Sequence, residues 1–180
     1  MKITIIRHGK VKMKWPNKCN SKIFDKACKD YDNADIEMIN CPGNRVEGKN
    51  IYVSNLRRSH ETADVLFKSN DILELIGIQE VPLRSFADLD ITLPVWVWNV
   101  MGRLQWYLNM NRQPECRNAT IKRADLVIAE LEKQGTDCIL VTHGFFMKTL
   151  VNRLKKFGFH ICGGQMLAFN NLQSITAEKP

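Results

Sequence analysis

Short apolar runs rich in β-branched residues alternate along the chain with longer segments whose apolar residues recur every three or four positions. The first pattern predicts buried strands and the second predicts amphipathic helices. We expect strands at residues 2–6, 51–54, 80–83 and 138–142, and helices at 57–68, 95–111, 119–133 and 145–156. Residues 166–169 and 174–177, which flank two asparagines, are interpreted as a closing hairpin.

Strands that alternate with helices favour an α/β fold, a three-layer α/β/α sandwich with a mainly parallel central sheet. A chain of 180 residues has room for one domain, which we expect to span residues 1–180. Residues 10–50 and 85–115 are less regular, and we expect them to form loops and a small helical cap over the strand ends. A turn or two of helix is expected near residues 21–31.

Composition excludes several classes of protein. Hydrophobic residues at 44% and charged residues at 25% are typical of globular domains, not of disordered or collagenous chains. No apolar run approaches the roughly 20 residues of a membrane span, and the apolar start is too short for a signal peptide. The expectation is a cytoplasmic protein without membrane contact. The cysteines form no C-x-x-C pair, so we expect free thiols and no zinc site; they are Cys19, Cys28, Cys41, Cys116, Cys138 and Cys162.

Positive charge is concentrated near the N-terminus. Residues 1–29 hold nine lysines and arginines against one acid, Asp25, whereas the rest of the chain carries a net charge of −1. A basic segment of this kind favours an anionic partner, either nucleic acid, an acidic surface or a phosphorylated small molecule, and a solvated loop is the simpler alternative. Few aromatic residues lie between the lysines of 10–29, so stacking on single-stranded nucleic acid is weakly supported.

Three predicted strands end in residues suited to phosphate chemistry. The first is followed by Arg7-His8-Gly9, the second by a segment containing Arg58, and the strand at 138–142 by His143-Gly144. The carboxyl ends of parallel strands meet at one edge of a sheet, where ligands bind. A guanidinium matches phosphate oxygens, a neutral imidazole can attack phosphorus, and a helix beginning after Gly144 would direct its amides to the same place. With no metal-ligand set evident, the protein's own cations must neutralise the phosphate.

At these strand ends the sequence resembles the histidine phosphatase superfamily, the branch that includes cofactor-dependent phosphoglycerate mutase and many small phosphatases. The resemblance rests on three motifs: Arg7-His8-Gly9, Ser54-Asn55-Leu56-Arg57-Arg58-Ser59-His60-Glu61-Thr62-Ala63, and Val141-Thr142-His143-Gly144. The second motif resembles the family pattern Ser-x-Leu-x-Arg-x-x-x-Thr-Ala, which makes Arg58 rather than Arg57 the phosphate-binding arginine. The resemblance implies a phosphoglycerate mutase-like fold.

The resemblance also implies a mechanism that needs neither metal nor organic cofactor. His8 would attack the phosphorus of a phosphomonoester and become a phosphohistidine, which water then hydrolyses. Arg7, Arg58 and His143 would hold the phosphate oxygens and stabilise the transition state. The substrate would be an anionic phosphorylated small molecule or a phosphoprotein.

The general acid is where the sequence departs from the family. Many members have a glutamate in a Leu-x-Glu segment after the third strand, and Ser85 stands at that position here. Asp88 is the nearest carboxylate and the expected proton donor, with Asp90 as the second choice. The aromatic residues of 95–107 are interpreted either as core packing or as a lid that faces the substrate.

Two other functions remain open. A mutase would move phosphate between positions of a phosphoglycerate, although Lys10-Val11-Lys12 replaces the mutase-like Glu-Ser-x-x-Asn continuation. A binding protein would use the basic segment 10–29 to contact nucleic acid or an acidic partner, and its histidine site would be vestigial. The intact set of Arg7, His8, Arg58 and His143 favours the enzyme.

Overall fold

Strands and helices alternate along most of the chain, as the sequence pattern indicates. The computed structural model of the protein describes residues 1–40, 49–68, 71–163 and 170–180. Within these ranges the strands are β1 (Lys2–Arg7), β2 (Lys18–Cys19), β3 (Asn50–Val53), β4 (Ile72–Glu74), β5 (Leu93–Pro94), β6 (Cys138–Thr142), β7 (His160–Cys162) and β8 (Ser174–Glu178). The helices are α1 (Ser21–Asn33), α2 (Arg57–Leu66), α3 (Val95–Tyr107), α4 (Arg117–Gln134) and α5 (Gly144–Lys156).

The central sheet has the strand order β4-β3-β6-β1-β8-β7. Strands β4, β3, β6 and β1 are parallel, and β8 runs antiparallel to both β1 and β7. Arg7 pairs with Thr142, and Val53 pairs with Val141. This register brings the ends of β1, β3 and β6 to one edge of the sheet, which is where the three motifs lie.

Apolar side chains cover both faces of the sheet. Ile3 and Ile5 of β1 pack with residues of α4 and α5, whereas Ile6 packs with Ala63 of α2 on the opposite face. All five residues of β6 are buried, as expected for a central strand of a parallel sheet. The predicted α/β architecture, with helices on both faces of a mainly parallel sheet, is therefore confirmed.

The irregular segments 10–50 and 85–115 contain more structure than the sequence pattern indicates. Asn20 caps α1, its side chain accepting a hydrogen bond from the Ile23 amide at 3.1 Å, and the helix continues for 13 residues. Trp98 of α3 is fully buried against Phe24 of α1, which joins the two segments. The assignment of these segments as the cap of a single domain stays a prediction.

One predicted strand is wrong. Residues 80–83 form no strand; the strand that pairs with β3 at this edge of the sheet is β4, Ile72–Glu74. The backbone of Val81 is hydrogen-bonded by side chains instead of by a neighbouring strand. Its amide donates to Glu80 Oε1 at 2.9 Å, and its carbonyl accepts from Arg103 Nη1 at 3.0 Å. The predicted hairpin strand at 166–169 lies outside the described residues.

Two further expectations concern cysteines and membranes. Cys19, Cys28, Cys116, Cys138 and Cys162 are free thiols, and Cys41 lies outside the described residues. In the described part of the chain, every helix is too short or too polar to cross a membrane.

Candidate active site

The two motif histidines lie side by side at the edge of the sheet. His8 follows β1 and His143 follows β6, and their ring centroids are 5.0 Å apart. Both side chains are buried, as is Arg58 in the first turn of α2. The spacing is short enough for a single phosphate to contact all three side chains.

The ring of His8 is oriented by its own neighbour. Nδ1 lies 2.6 Å from the Gly9 carbonyl oxygen, which can only accept, so Nδ1 bears the proton and the lone pair is on Nε2. The Gly9 amide in turn donates to Thr62 Oγ1 at 2.9 Å. Burial, followed by the charges of Arg58 and Arg7, lowers the pKa of His8 to about 3 against the opposing Gly9 hydrogen bond. His8 is therefore neutral at pH 7, the form in which an imidazole is a nucleophile.

Arg58 is a buried cation with one unused donor. Its Nε donates to His143 Nδ1 at 3.2 Å and its Nη1 donates to Asp32 Oδ1 at 3.0 Å. Nη2 is buried and finds no hydrogen-bond partner among the residues that the structure describes. A buried guanidinium N–H without a partner is costly, and a phosphate oxygen would satisfy it.

His143 is held by protein groups on both sides of its ring. Because Nδ1 accepts from Arg58, Nε2 carries the proton and donates to Ser54 Oγ at 2.7 Å, with Ser59 Oγ at 3.2 Å. Burial, followed by the charges of Arg58 and of the other cations and histidine nearby, lowers the pKa of His143 well below its usual range. His143 is thus neutral and positions Arg58. A direct bond from His143 to phosphate stays a prediction, and it requires Nε2–H to leave Ser54.

Gly144 allows Arg7 to lie across the start of α5. A Cβ at position 144 would be 2.9 Å from Arg7 Nε, closer than side chains normally approach. The charge of Arg7 acts on the pKa of both His8 and His143, which places this cation beside the pair.

The first amides of α5 are not directed at a ligand as the sequence suggests. Glu80 Oε1 accepts from the Phe146 amide at 2.9 Å, and Glu80 Oε2 accepts from the Phe145 amide at 3.2 Å. A carboxylate at a helix N-terminus is stabilised by the helix dipole. Sequence reasoning missed Glu80 because no local pattern relates it to a helix that begins 64 residues later.

The sequence model of the histidine phosphatase superfamily (branch 1) matches residues 3–174. The chain belongs to this superfamily. No curated protein matches the sequence at a significant level. The three motifs that carry the histidine pair and Arg58 all lie inside the matched range.

Solved phosphatases share the fold. Phosphoserine phosphatase from Entamoeba histolytica with bound phosphoserine is 16% identical, over 97% of this chain and 89% of its own, with a TM-score of 0.59. The mycobacterial glucosyl-3-phosphoglycerate phosphatase is 16% identical, over 97% and 88%, with a TM-score of 0.62. Its complex with VO3 is 16% identical, over 97% and 91%, with a TM-score of 0.58. These likenesses show that this histidine phosphatase has the phosphoglycerate mutase-like fold.

The structure does not bring Asp88 to the two histidines. Its side chain is 73% exposed, and Arg112 donates to its two oxygens at 2.6 and 3.0 Å. The hydrogen bonds from Arg112 hold the pKa of Asp88 below its usual value. Asp90 is more exposed still, 3.9 Å from Lys22. Asp88 as proton donor stays a prediction that this placement does not favour.

A cleft of about 1380 Å³ lies beside α2 of this histidine phosphatase, with Asn55, Leu56 and Arg58 in its wall. Arg58 is the member of the buried trio that the cleft reaches, whereas His8 and His143 are not among its lining residues. Trp98 and Trp106 are core residues, whereas Trp96 is exposed and lines the cleft; a lid that faces the substrate stays a prediction. The charged wall residues are Asp25, Lys29, Asp32, Arg58, Glu80, Arg84, Arg103, Glu115 and Arg123.

Proposed function

We propose that the protein is a metal-independent phosphomonoester hydrolase that works through a phosphohistidine on His8. One observation supports this most strongly: a neutral imidazole with its lone pair on Nε2 lies beside a buried arginine with an unused N–H. Within the described ranges no group of three histidine, cysteine, aspartate or glutamate residues could hold a metal ion. The proposed substrate is a small anionic phosphoester of the cytoplasm.

The proposed reaction has two displacements. His8 Nε2 attacks phosphorus, the bond to the leaving oxygen breaks, and a phosphohistidine forms. Water then attacks the same phosphorus, the N–P bond breaks, and inorganic phosphate is released. Arg58 and Arg7 stabilise the charge on the equatorial oxygens in both transition states, as positioned cations do in phosphoryl transfer.

His143 supports this reaction through Arg58. Its Nδ1 holds Arg58 Nε, and this contact directs the guanidinium so that Nη2 is left for phosphate. Ser54 fixes the tautomer of His143 by accepting from Nε2. Loss of Ser54 or His143 from this series of hydrogen bonds would misplace the guanidinium of Arg58. Small misplacements of catalytic groups lower the reaction rate considerably.

The test is the variant His8→Ala with p-nitrophenyl phosphate as substrate. We expect activity to fall at least about a thousandfold, because removal of an essential nucleophile leaves only the residual catalysis of the site. Vanadate, a pentavalent mimic, should inhibit the wild-type enzyme, and a chelator should have no effect. His60→Ala is the matched control, since His60 pairs with Glu74 outside the site.

The phosphoenzyme gives an independent readout. Wild-type enzyme that reacts with a substrate labelled in its phosphoryl group and is then quenched rapidly without acid should retain label on the protein. The bond between label and protein should be stable in base and labile in acid, as a phosphoramidate is. Full activity in His8→Ala, or loss of activity with the chelator, would contradict the proposal. Transfer of the label to a second hydroxyl of a phosphoglycerate, instead of to water, would favour the mutase.

A further inference from the structure

We propose that Asp32 is the proton donor to the leaving oxygen, an inference that rests on the hydrolysis proposed above. An alkoxide is a poor leaving group, so alkyl phosphates need a donor near the bridging oxygen. The family's glutamate position is Ser85 in this chain, and Asp88 is away from the site. The structure therefore has to supply the acid from another segment.

Asp32 is the carboxylate that touches the phosphate-binding arginine. It lies near the end of α1, and its Oδ1 accepts from Arg58 Nη1 at 3.0 Å. Its side chain is 48% exposed and lines the cleft, whereas Arg58 is fully buried behind it. A leaving group directed away from His8 into the cleft would thus pass beside Asp32.

The other acids of the cleft wall are fixed by donors that phosphate would not displace. Asp25 accepts from both the amide and the hydroxyl of Ser85, at 2.6 and 3.0 Å. Glu80 accepts from three backbone amides, and Glu115 accepts two hydrogen bonds from Arg123. These carboxylate oxygens are already engaged by protein donors and would have to give up those hydrogen bonds to approach a leaving oxygen.

Asp32 differs because Arg58, its hydrogen-bond partner, is also the cation that phosphate would contact, through Nη2. Among the described residues, its carboxylate has a hydrogen bond only with Arg58. A phosphate dianion bound at Nη2 would place its negative charge near the carboxylate of Asp32, which stays on Nη1. Two neighbouring anions that share one cation favour uptake of a proton by one of them. The proposed role requires that Asp32 be the anion that carries the proton when substrate is bound.

The proton balance closes over one turnover. His8 Nε2 forms the N–P bond, the P–O bond breaks, and the leaving oxygen takes the Asp32 proton and departs as an alcohol. In the second step Asp32, now a carboxylate, accepts a proton from the attacking water as the O–P bond forms and the N–P bond breaks. Phosphate leaves as the dianion, and Asp32 is again protonated.

The test compares Asp32→Asn on glycerol 2-phosphate, an alkyl ester, and p-nitrophenyl phosphate, whose leaving group needs no proton. We expect kcat on the alkyl ester to fall by roughly 10²- to 10⁴-fold, the usual contribution of a general acid, and kcat on the aryl ester to change by less than about fivefold. Asp32→Glu should restore part of the alkyl activity. Asp30→Asn is the matched control, because Asp30 lies on the same helix and pairs with Lys26.

A merely structural ion pair would give a different result. If Asp32 only positioned Arg58, Asp32→Asn would lower kcat equally for the alkyl and the aryl ester, and that outcome overturns the proposal. Unchanged kcat on both esters overturns it as well. Retention of the wild-type melting temperature shows that Asp32→Asn folds. The variant His8→Ala separates failure of this proposal from failure of the proposed function. If His8 were not the nucleophile, His8→Ala would still hydrolyse the aryl ester.

Discussion

Acid should destabilise the folded protein through His8. In the folded state burial and the neighbouring arginines lower its pKa to about 3, whereas the ordinary value is 6.5. Below pH 6.5 the unfolded chain therefore binds a proton at this site that the folded protein does not bind. The contribution of His8 to stability is complete above that pH and is lost progressively as the pH falls towards 3.

The magnitude follows from linkage. Between pH 7 and about pH 4.5, a histidine with a pKa of 6.5 unfolded and about 3 folded lowers the free energy of unfolding by about 2.5 kcal/mol. That is a large share of the stability of a typical domain. Other buried groups add to the total, and His143 has the same sign because its pKa is also lowered.

The assay is urea unfolding of the wild type and of His8→Asn at the two pH values. Asparagine is the substitution of choice because its amide nitrogen lies near the place of Nδ1 and can still donate to the Gly9 carbonyl. We expect the stability loss on acidification to be about 2.5 kcal/mol smaller in His8→Asn than in the wild type. His60→Asn, at a half-exposed surface site, is the control.

Equal losses in the wild type and in His8→Asn would refute the reasoning. Such a result would mean that His8 titrates normally in the folded protein, and then it would be largely protonated and non-nucleophilic at pH 5. A histidine NMR titration gives the same answer directly, since the His8 ring signals should not shift between pH 5 and 8.

Two other substitutions test the placement of Asp88 and the packing of Gly102 in α3. Asp88→Asn should leave the ratio of alkyl to aryl phosphatase activity within about twofold, because Asp88 is exposed and ion-paired away from the site; a selective loss on the alkyl ester would restore it as the acid. Gly102→Ala should lower stability by roughly 1–3 kcal/mol in urea unfolding, because its Cβ would lie 2.7 Å from Leu83 Cδ1 and 3.0 Å from the Arg84 carbonyl. An unchanged unfolding midpoint would show that this contact can relax.

The helices and four of the eight strands in the described residues could be predicted because contiguous residues encode them. Apolar spacing predicted α2, α4 and α5 to within a few residues, and β-branched runs predicted β1, β3 and β6. The convergence of His8, Arg58 and His143 also followed, since parallel strands have only one edge at which their carboxyl ends meet. These features depend on local patterns and on the handedness of connections.

Only the tertiary structure decided which side chains are hydrogen-bonded to one another at that edge of the sheet. The hydrogen bond from Arg58 to Asp32 joins α2 at the sheet edge to α1, 26 residues away in sequence, and Glu80 reaches the amides of α5 across 65 and 66 residues. Two other features depend on distant partners in the same way. Strand β4, Ile72–Glu74, is paired with β3, and the irregular backbone at 80–83 is hydrogen-bonded by side chains such as Arg103. A hydrogen bond between distant segments depends on how those segments pack, and no local periodicity records that. The sequence alone therefore determined the fold class and led to His8 as the proposed nucleophile, whereas packing decided which carboxylate contacts Arg58.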